Sequence, residues 1–286
     1  MKNYSLYEKT YLEDKGFPLG VTRFNCDECG SVFHAHWHEQ LEILYFLEGK
    51  GVIECESKPI EVSSGDIIII NSNELHCGYC IEKPLVYHYI AVDSSLIKGS
   101  FEGNCEQKYI TPIAQNLIMF CNKIRGNATT IQCIKGIVDE YENKEPGFEL
   151  SIKSYVYRLL VLLLRNHVDR VLTQREYKTR IQNLERLNKV LDYIESSYAE
   201  DITIDQLTEI TCLSSDHFSH LFKKLTGKGV NEYINSLRID KAEMLLKNTG
   251  LNITEIAMTT GFNDANYFSR IFRKYKKVSP SAVRKV

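Results

Sequence analysis

The stretch Phe218-Ser-His-Leu-Phe-Lys-Lys224 returns later in the chain as Phe268-Ser-Arg-Ile-Phe-Arg-Lys274. Upstream of it, Ile204-x2-Leu207 returns as Ile253-x2-Ile256, at an offset of 49 residues before the turn and 50 after it. Each copy reads as a short helix, a tight turn and a second amphipathic helix, the second turn being one residue longer. That is the helix-turn-helix layout, whose second helix enters the DNA major groove. Phe218, Leu221, Phe222 and Leu225 recur at i, i+3, i+4 and i+7, as do Phe268, Ile271, Phe272 and Tyr275, so these positions form the buried stripe. The outward N-terminal positions are Ser215, Asp216, Ser219 and His220 in the first copy, and Ala265, Asn266, Ser269 and Arg270 in the second. Small and hydrogen-bonding side chains there suit base edges: Arg270 can fork onto guanine and Asn266 onto adenine. Lys223-Lys224 and Arg273-Lys274 end the two helices with paired cations placed for phosphates.

One apolar stripe with a lysine pair at its end is ordinarily just a solvated amphipathic helix. Repetition and charge distribution change that reading. Residues 219–286 hold 13 Lys/Arg against 5 Asp/Glu, while the remainder holds 22 against 32. A basic end on an acidic body indicates a local polyanion contact, here double-stranded DNA, which the net charge of −2 conceals.

Around the repeat, the C-terminal third reads as helices at about 184–197, 205–212, 215–225, 230–248, 254–260 and 265–276, punctuated by caps and glycines. Residues 185–286 resemble the DNA-binding domain of the AraC/XylS family of transcription regulators. The resemblance is carried by LFKKLTG (221–227), YINSLRIDKAEMLL (233–246), ITEIA (253–257), GF (261–262), YFSRIFRKY (267–275) and Ser279-Pro280. It implies that the helix at 230–248 holds both recognition helices on one DNA face, and it assigns base reading to the eight outward residues named above. Three positions depart from the family pattern. Thr208 replaces a small alanine that Ala257 retains in the second copy, Cys212 stands where the first turn usually has glycine, and Lys277 replaces a glycine near the end.

The first two thirds are organised differently. Leu41–Leu47, Gly51–Glu56, Asp66–Ile70 and Val86–Val92 are short β-branched and aromatic runs separated by turn signals at Glu48–Gly51, Ser57–Pro59, Ser63–Gly65 and Asn71–Glu74. Ile113–Ile124, Ile131–Tyr141 and Ile152–Val168 are apolar at helical spacing, and the polar stretch Asp169–Asn183 reads as the linker. Met1–Gly20 lacks the apolar core of a signal peptide, and the longest aliphatic run, Leu159–Leu164, is far short of the roughly 20 residues that span a bilayer. Nine cysteines without a secretion signal point to a reducing, cytoplasmic setting and no membrane partner.

Gly30-x5-His36-x-His38-x3-Glu42-x6-Gly49 resembles, residue for residue, the first motif of the cupin superfamily. Gly65-x5-Asn71-x-Asn73-x2-His76 matches the second in part, without its proline and glycine. On neighbouring strands of a barrel, His36, His38, Glu42 and His76 would converge. Three imidazoles and a carboxylate suit zinc, iron, nickel or manganese, making a divalent transition metal the candidate cofactor. In regulators of the resembling family, such a barrel more often senses a small molecule, frequently a sugar, so the same four residues are equally the candidate effector site. A rival ligand set is Cys26-x2-Cys29 with Cys77-x2-Cys80, which has four-thiolate zinc spacing, and either pair alone reads as a redox switch.

These readings define an α+β multidomain chain. A cupin-like effector-sensing β-barrel occupies 1–110, a helical dimerisation and linker segment 111–182, and an all-α double helix-turn-helix domain 183–286. The expected function is sequence-specific transcription regulation under control of a small-molecule effector, with no catalysis. Expected partners are operator DNA, RNA polymerase, the effector and a second copy. The apolar stripe Leu159, Leu160, Leu163 and Leu164 is either a dimer seam, as the family resemblance suggests, or intradomain packing. The alternative is a metal-dependent cupin enzyme, or a metal or redox sensor, fused to a DNA-binding domain.

Overall fold

A computed structural model describes residues 6–8, 17–98, 104–125 and 127–284. The reading of Met1–Gly20 therefore lies mostly outside the described residues. The chain divides into two compact units, one spanning Leu6–Gln182 and the other containing Asn183–Val286.

The first unit is strand-rich. Its strands are β1 (Leu19–Cys26), β2 (Gly30–His36), β3 (Leu41–Cys55), β4 (Lys58–Ser63), β5 (Asp66–Ile70) and β6 (His76–Val92). Then come α1 (Ser94–Ile97), a π-helical turn at Glu106–Ile110, α2 (Thr111–Ala114), β7 (Ile118–Phe120), β8 (Lys123–Arg125), α3 (Ala128–Asn143), α4 (Phe148–Asn166) and β9 (Val168–Val171). The principal sheet runs β1-β6-β3-β5-β8, with β2 paired to β6 and β4 to β3, all antiparallel. Among the described residues no ladder closes this path into the expected barrel.

Several local expectations change. The turn signal at Glu48–Gly51 is a bulge inside one continuous strand, where the β3–β6 register shifts three times between Phe46 and Gly51. Gly49 sits there at φ +80°, and a Cβ on it would fall 2.2 Å from the Pro84 carbonyl oxygen. Only a glycine lets the two backbones pass so closely. The helix expected at Ile113–Ile124 is instead one turn of helix followed by β7 and β8: its apolar residues are buried as edge strands, which periodicity over so short a run does not distinguish from helix.

Two apolar clusters lie on the sheet. One joins Leu44, Phe46, Ile53, Ile68, Ile70 and Tyr87. The other joins Ile43, Ile67, Ile69 and Ile90 to α3 and α4. Leu159, Leu160 and Leu163 are 2%, 3% and 0% exposed in that second cluster. These leucines pack within their own unit, and Leu164 is half-buried against the same cluster, in accord with the intradomain reading of the stripe.

The linker expected at Asp169–Asn183 is a strand and then the start of a 24-residue helix, α5 (Gln174–Ser197). Thr173 caps its start, its hydroxyl and amide reaching Glu176. The second unit continues with α6 (Ile204–Thr211), α7 (Ser215–Thr226), α8 (Val230–Asn248), α9 (Ile253–Thr259), α10 (Ala265–Lys276) and α11 (Pro280–Arg284). Each short first helix opens with a capping box, Thr203 with Gln206 and Asn252 with Glu255. In each, a threonine near the end bonds back to the preceding turn, Thr211 to the Leu207 carbonyl and Thr260 to that of Ile256. The sequence repeat is a structural repeat down to its caps. No described helix is long and apolar enough to cross a membrane.

Candidate nucleic-acid interface and candidate ligand centre

The two recognition helices have the predicted faces. Phe218, Leu221, Phe222 and Leu225 of α7 are buried, as are Phe268 and Phe272 of α10, while Ile271 and Tyr275 are half-buried against the same core. Opposite them, Ser215, Asp216, Ser219, His220, Lys223 and Lys224 are exposed on α7, and Asn266, Arg270, Arg273 and Lys274 on α10. Ala265 and Ser269 are only half-exposed, and the Ser269 hydroxyl already donates to the Ala265 carbonyl at 2.9 Å. These two are the least available of the eight candidates for base edges.

Two further residues share the exposed face, His217 and its repeat counterpart Tyr267. Tyr267 underlies Arg270, whose guanidinium carbon lies 5.3 Å from the ring centroid. A cation–π shelf of this kind limits the arginine's rotamers before any DNA arrives. The sequence carried this signal, since an outward aromatic at i−3 from an arginine shares its helix face.

The departures from the family pattern have a physical reading. Cys212 ends α6 at φ +53° and Lys277 ends α10 at φ +63°. Their repeat counterparts, Gly261 at φ +86° and Gly227 at φ +72°, hold the same left-handed conformation with glycine. Each unit therefore has two left-handed positions and fills one of them with a side chain, which costs about 1–2 kcal/mol relative to glycine's freedom there. Thr208 stays half-exposed with its hydroxyl bonded to the Asp205 carbonyl, whereas Ala257 is fully buried. Cys212→Gly and Lys277→Gly should each raise stability by about 1 kcal/mol, a gain of a few degrees in thermal unfolding.

In the first unit, the end of β2, the segment 37–40 and the starts of β3 and β6 bring His36, His38, Glu42 and His76 together. His36 and His76 are direct cross-strand partners. One donor atom from each of the four lies within 4.8 Å of the others. Each imidazole is held by a backbone carbonyl two residues away: Nδ1 of His36 donates to His34 at 2.8 Å, that of His38 to Gln40 at 3.2 Å, and that of His76 to Glu74 at 2.7 Å. Anchoring Nδ1 in this way leaves Nε2 as the ring atom turned toward the cluster, as in metal-binding histidines whose other ring nitrogen is held by a carbonyl.

The inner atoms then face one another. Nε2 of His38 is 2.7 Å from Glu42 Oε2, and Nε2 of His76 is 3.5 Å from the same oxygen and has no hydrogen bond, although buried. Nε2 of His36 lies 3.3 Å from the exposed carboxylate of Glu8, a residue the motif reading missed because nothing in its spacing relates it to the histidines. Burial alone would raise the Glu42 carboxyl, but the charge of His76 and the bond from His38 outweigh it and hold Glu42 well below the usual range. Burial opposes charging His76 as well, yet Glu42 wins and its pKa is raised. His36, lacking such a partner inside, is pushed down to about 4 by burial and by the charge on His76. The carboxylate demands a cation beside it, supplied by protons on the histidines or by a metal ion.

The four-cysteine alternative does not assemble. Among the described residues, the histidine–glutamate group alone gathers three or more His, Cys, Asp or Glu donor atoms within reach of one ion. Cys77 faces Glu54 and the Tyr79 hydroxyl, at 3.6 and 3.7 Å, while Cys80 faces Cys29. Three residues apart on one strand, the two thiols point to opposite sides.

A unit of paired helix-turn-helix motifs joined to a strand-rich unit is the architecture of a DNA-binding regulator. A family model described as the AraC-like ligand binding domain matches residues 19–160, and one described as a helix-turn-helix domain matches 207–286. The chain belongs to the AraC family of DNA-binding transcription regulators, with a cupin-like ligand-binding N-terminal domain. It is 24% identical over 271 residues to the HTH-type transcriptional activator RhaS of an Enterobacter species, covering 89% of this chain and 88% of that one. The uncharacterized HTH-type transcriptional regulator YijO of Escherichia coli is 38% identical over 129 residues, 45% of each chain. Among solved structures, the C-terminal domain of the response regulator yesN from Fusobacterium nucleatum is similar at 38% identity, covering 33% of this chain and 93% of that one, with a TM-score of 0.32.

Proposed function

We propose that this regulator reads its operator through the exposed faces of α7 and α10 and that a small effector at the His36–His38–Glu42–His76 centre controls it. The observation that carries the first half is the repeated exposed face, polar at its start and cationic at its end, in the stretch 219–286 that holds 13 Lys/Arg against 5 Asp/Glu. Arg270→Ala should cost about 1–3 kcal/mol against the preferred operator and little against random DNA. Lys223→Ala should weaken all sequences alike and flatten the log–log salt slope by about 0.9. Binding titrations on operator and random duplexes check both. Equal losses on the two DNAs for Arg270→Ala would demote it to a phosphate contact.

The contacts of Arg180 support a route for the signal within the first unit. Arg180 of α5 donates through Nε and Nη2 to the Asn73 carbonyl, at 3.1 and 2.9 Å, and pairs through Nη1 with Glu56. Asn73, at φ +57°, donates its amide to the His38 carbonyl, and its neighbour Glu74 accepts from His76 Nδ1. The 71–75 loop thus lies between two histidines of the centre and Arg180 near the start of α5. An effector that moves His38 or His76 moves this loop, and with it the hold on Arg180. The regulated event is promoter occupancy or contact with RNA polymerase, exerted by a homodimer; no catalytic step is assigned to the chain.

The buried Nε2 of His76, beside the Glu42 carboxylate but without a hydrogen bond, favours a divalent transition metal as the effector or as its anchor. Bound there, it would be held by the three Nε2 atoms and the Glu42 carboxylate, and would present a Lewis-acidic site to a small ligand. Purified protein should then carry close to one equivalent, lost in the His36→Ala/His38→Ala double variant. Trace metal in the wild type, with effector response abolished by the same double variant, would leave the centre as a polar ligand pocket instead.

A further inference from the structure

The thiols of Cys29 and Cys80 belong to no part of the machinery described so far, and they are neighbours at the start of the β2–β6 ladder. Cys29 immediately precedes β2, whose first residue, Gly30, is the cross-strand partner of Cys80 on β6. The Cys29 sulfur lies 3.3 Å from the Ile81 carbonyl oxygen, one residue beyond Cys80, and Cys29 is close enough to Cys80 to act on its thiol. Cys29 is exposed and Cys80 is buried. Cys26, half-buried at the end of β1, is close enough to act electrostatically on Cys80. One thiol is open to a reagent, and a second lies buried beside it, opposite the next residue of the chain.

We infer that Cys29 and Cys80 form a reversible disulfide, an oxidant-responsive modification site whose reagent is hydrogen peroxide. The exposed Cys29 thiolate attacks the peroxide oxygen, the O–O bond breaks, and water leaves once a proton is supplied, giving the sulfenic acid at Cys29. The Cys80 thiol then attacks that sulfur, the S–S bond forms and a second water departs with the Cys80 proton. Two thiols lose two electrons and the peroxide gains them; a dithiol reverses the change. Burial and the neighbouring Cys29 raise the Cys80 thiol above its ordinary value, which fits a resolving rather than an attacking role.

The position of the bond gives it a consequence. The β2–β6 ladder is irregular, its register shifting between Ser31 and Phe33 and again before His36. A staple at its first pair would pin the strand that carries His36 to the strand that carries His76. Oxidation should therefore slow amide exchange in Ser31–Phe33 without unfolding the sheet.

The test uses the full chain treated with equimolar to tenfold hydrogen peroxide, alkylated before and after reduction, digested and mapped by mass spectrometry. The expected product is a peptide pair joined between Cys29 and Cys80, two hydrogens lighter than its thiol form. It should be absent in Cys29→Ser, retained in Cys26→Ser and reversed by dithiothreitol. A bond between Cys26 and Cys29, overoxidation of Cys29 without a bond, a link between chains, or unreacted thiols would each overturn the inference.

Discussion

Gly261→Ala is expected to collapse the second helix-turn-helix unit while leaving the first unit's local structure in place. Gly261 ends the first helix of that unit at φ +86°, and a Cβ there would lie 2.7 Å from the Ala199 carbonyl oxygen and 2.8 Å from its Cα. Both obstacles are backbone, so no rotamer change relieves them. Left-handed strain of about 1–2 kcal/mol adds to that clash, and the total of roughly 3 kcal/mol is a large fraction of a domain's usual stability. Phe262 and Phe268, both buried beside this turn, would lose their seats, and α10 with them. Circular-dichroism melting of the full protein and operator titration measure the two effects. The expected results are a fall of roughly ten degrees in the DNA-binding unit's transition and a loss of at least tenfold in operator affinity. Unchanged melting would mean that the turn is looser than its contacts imply.

Glu42→Ala is expected to damage the sensor unit to a similar degree by a different physical route. Glu42 and His38 are each 2% exposed and 2.7 Å apart, and Glu42 is also the carboxylate that raises the pKa of His76, 3.5 Å away. Removing one partner of a buried, hydrogen-bonded ionic pair typically costs about 3–5 kcal/mol, because the remaining charge stays buried without compensation. Glu8→Ala is the control: its carboxylate is 60% exposed, so its contact with His36 should be worth less than about 1 kcal/mol. Urea unfolding of the two variants separates the cases. Equal, small losses would show that the centre is not held together by charge.

The sequence made some of this molecule plain and hid the rest for identifiable reasons. The helix-turn-helix repeat was legible because its apolar residues recur at a helical period over long segments with strong caps, and because a second copy tested the first. The histidine–glutamate cluster was legible because its members sit at fixed spacings on paired strands. The 111–125 region misled because a short apolar run is compatible with an edge strand or a helix, and only its neighbours decide. Asp169–Asn183 looked like a linker because the apolar residues that seat the start of α5 are sparse among many charges. Glu8, Arg180 and Cys80 could not be placed from sequence at all: each acquires its partner through a long-range pairing, Glu8 to His36, Arg180 to Asn73 and Cys80 to Cys29.

Hydroxyl-radical footprinting of the full protein on its operator tests the central claim most directly. Two recognition helices in one unit should protect two tracts about one helical turn apart, roughly 34 Å, on the same face of the duplex. Arg270→Ala should weaken one tract and leave the other. A single short tract, or protection that survives alanine at Lys223, Lys224, Arg273 and Lys274 together, would contradict DNA reading by α7 and α10.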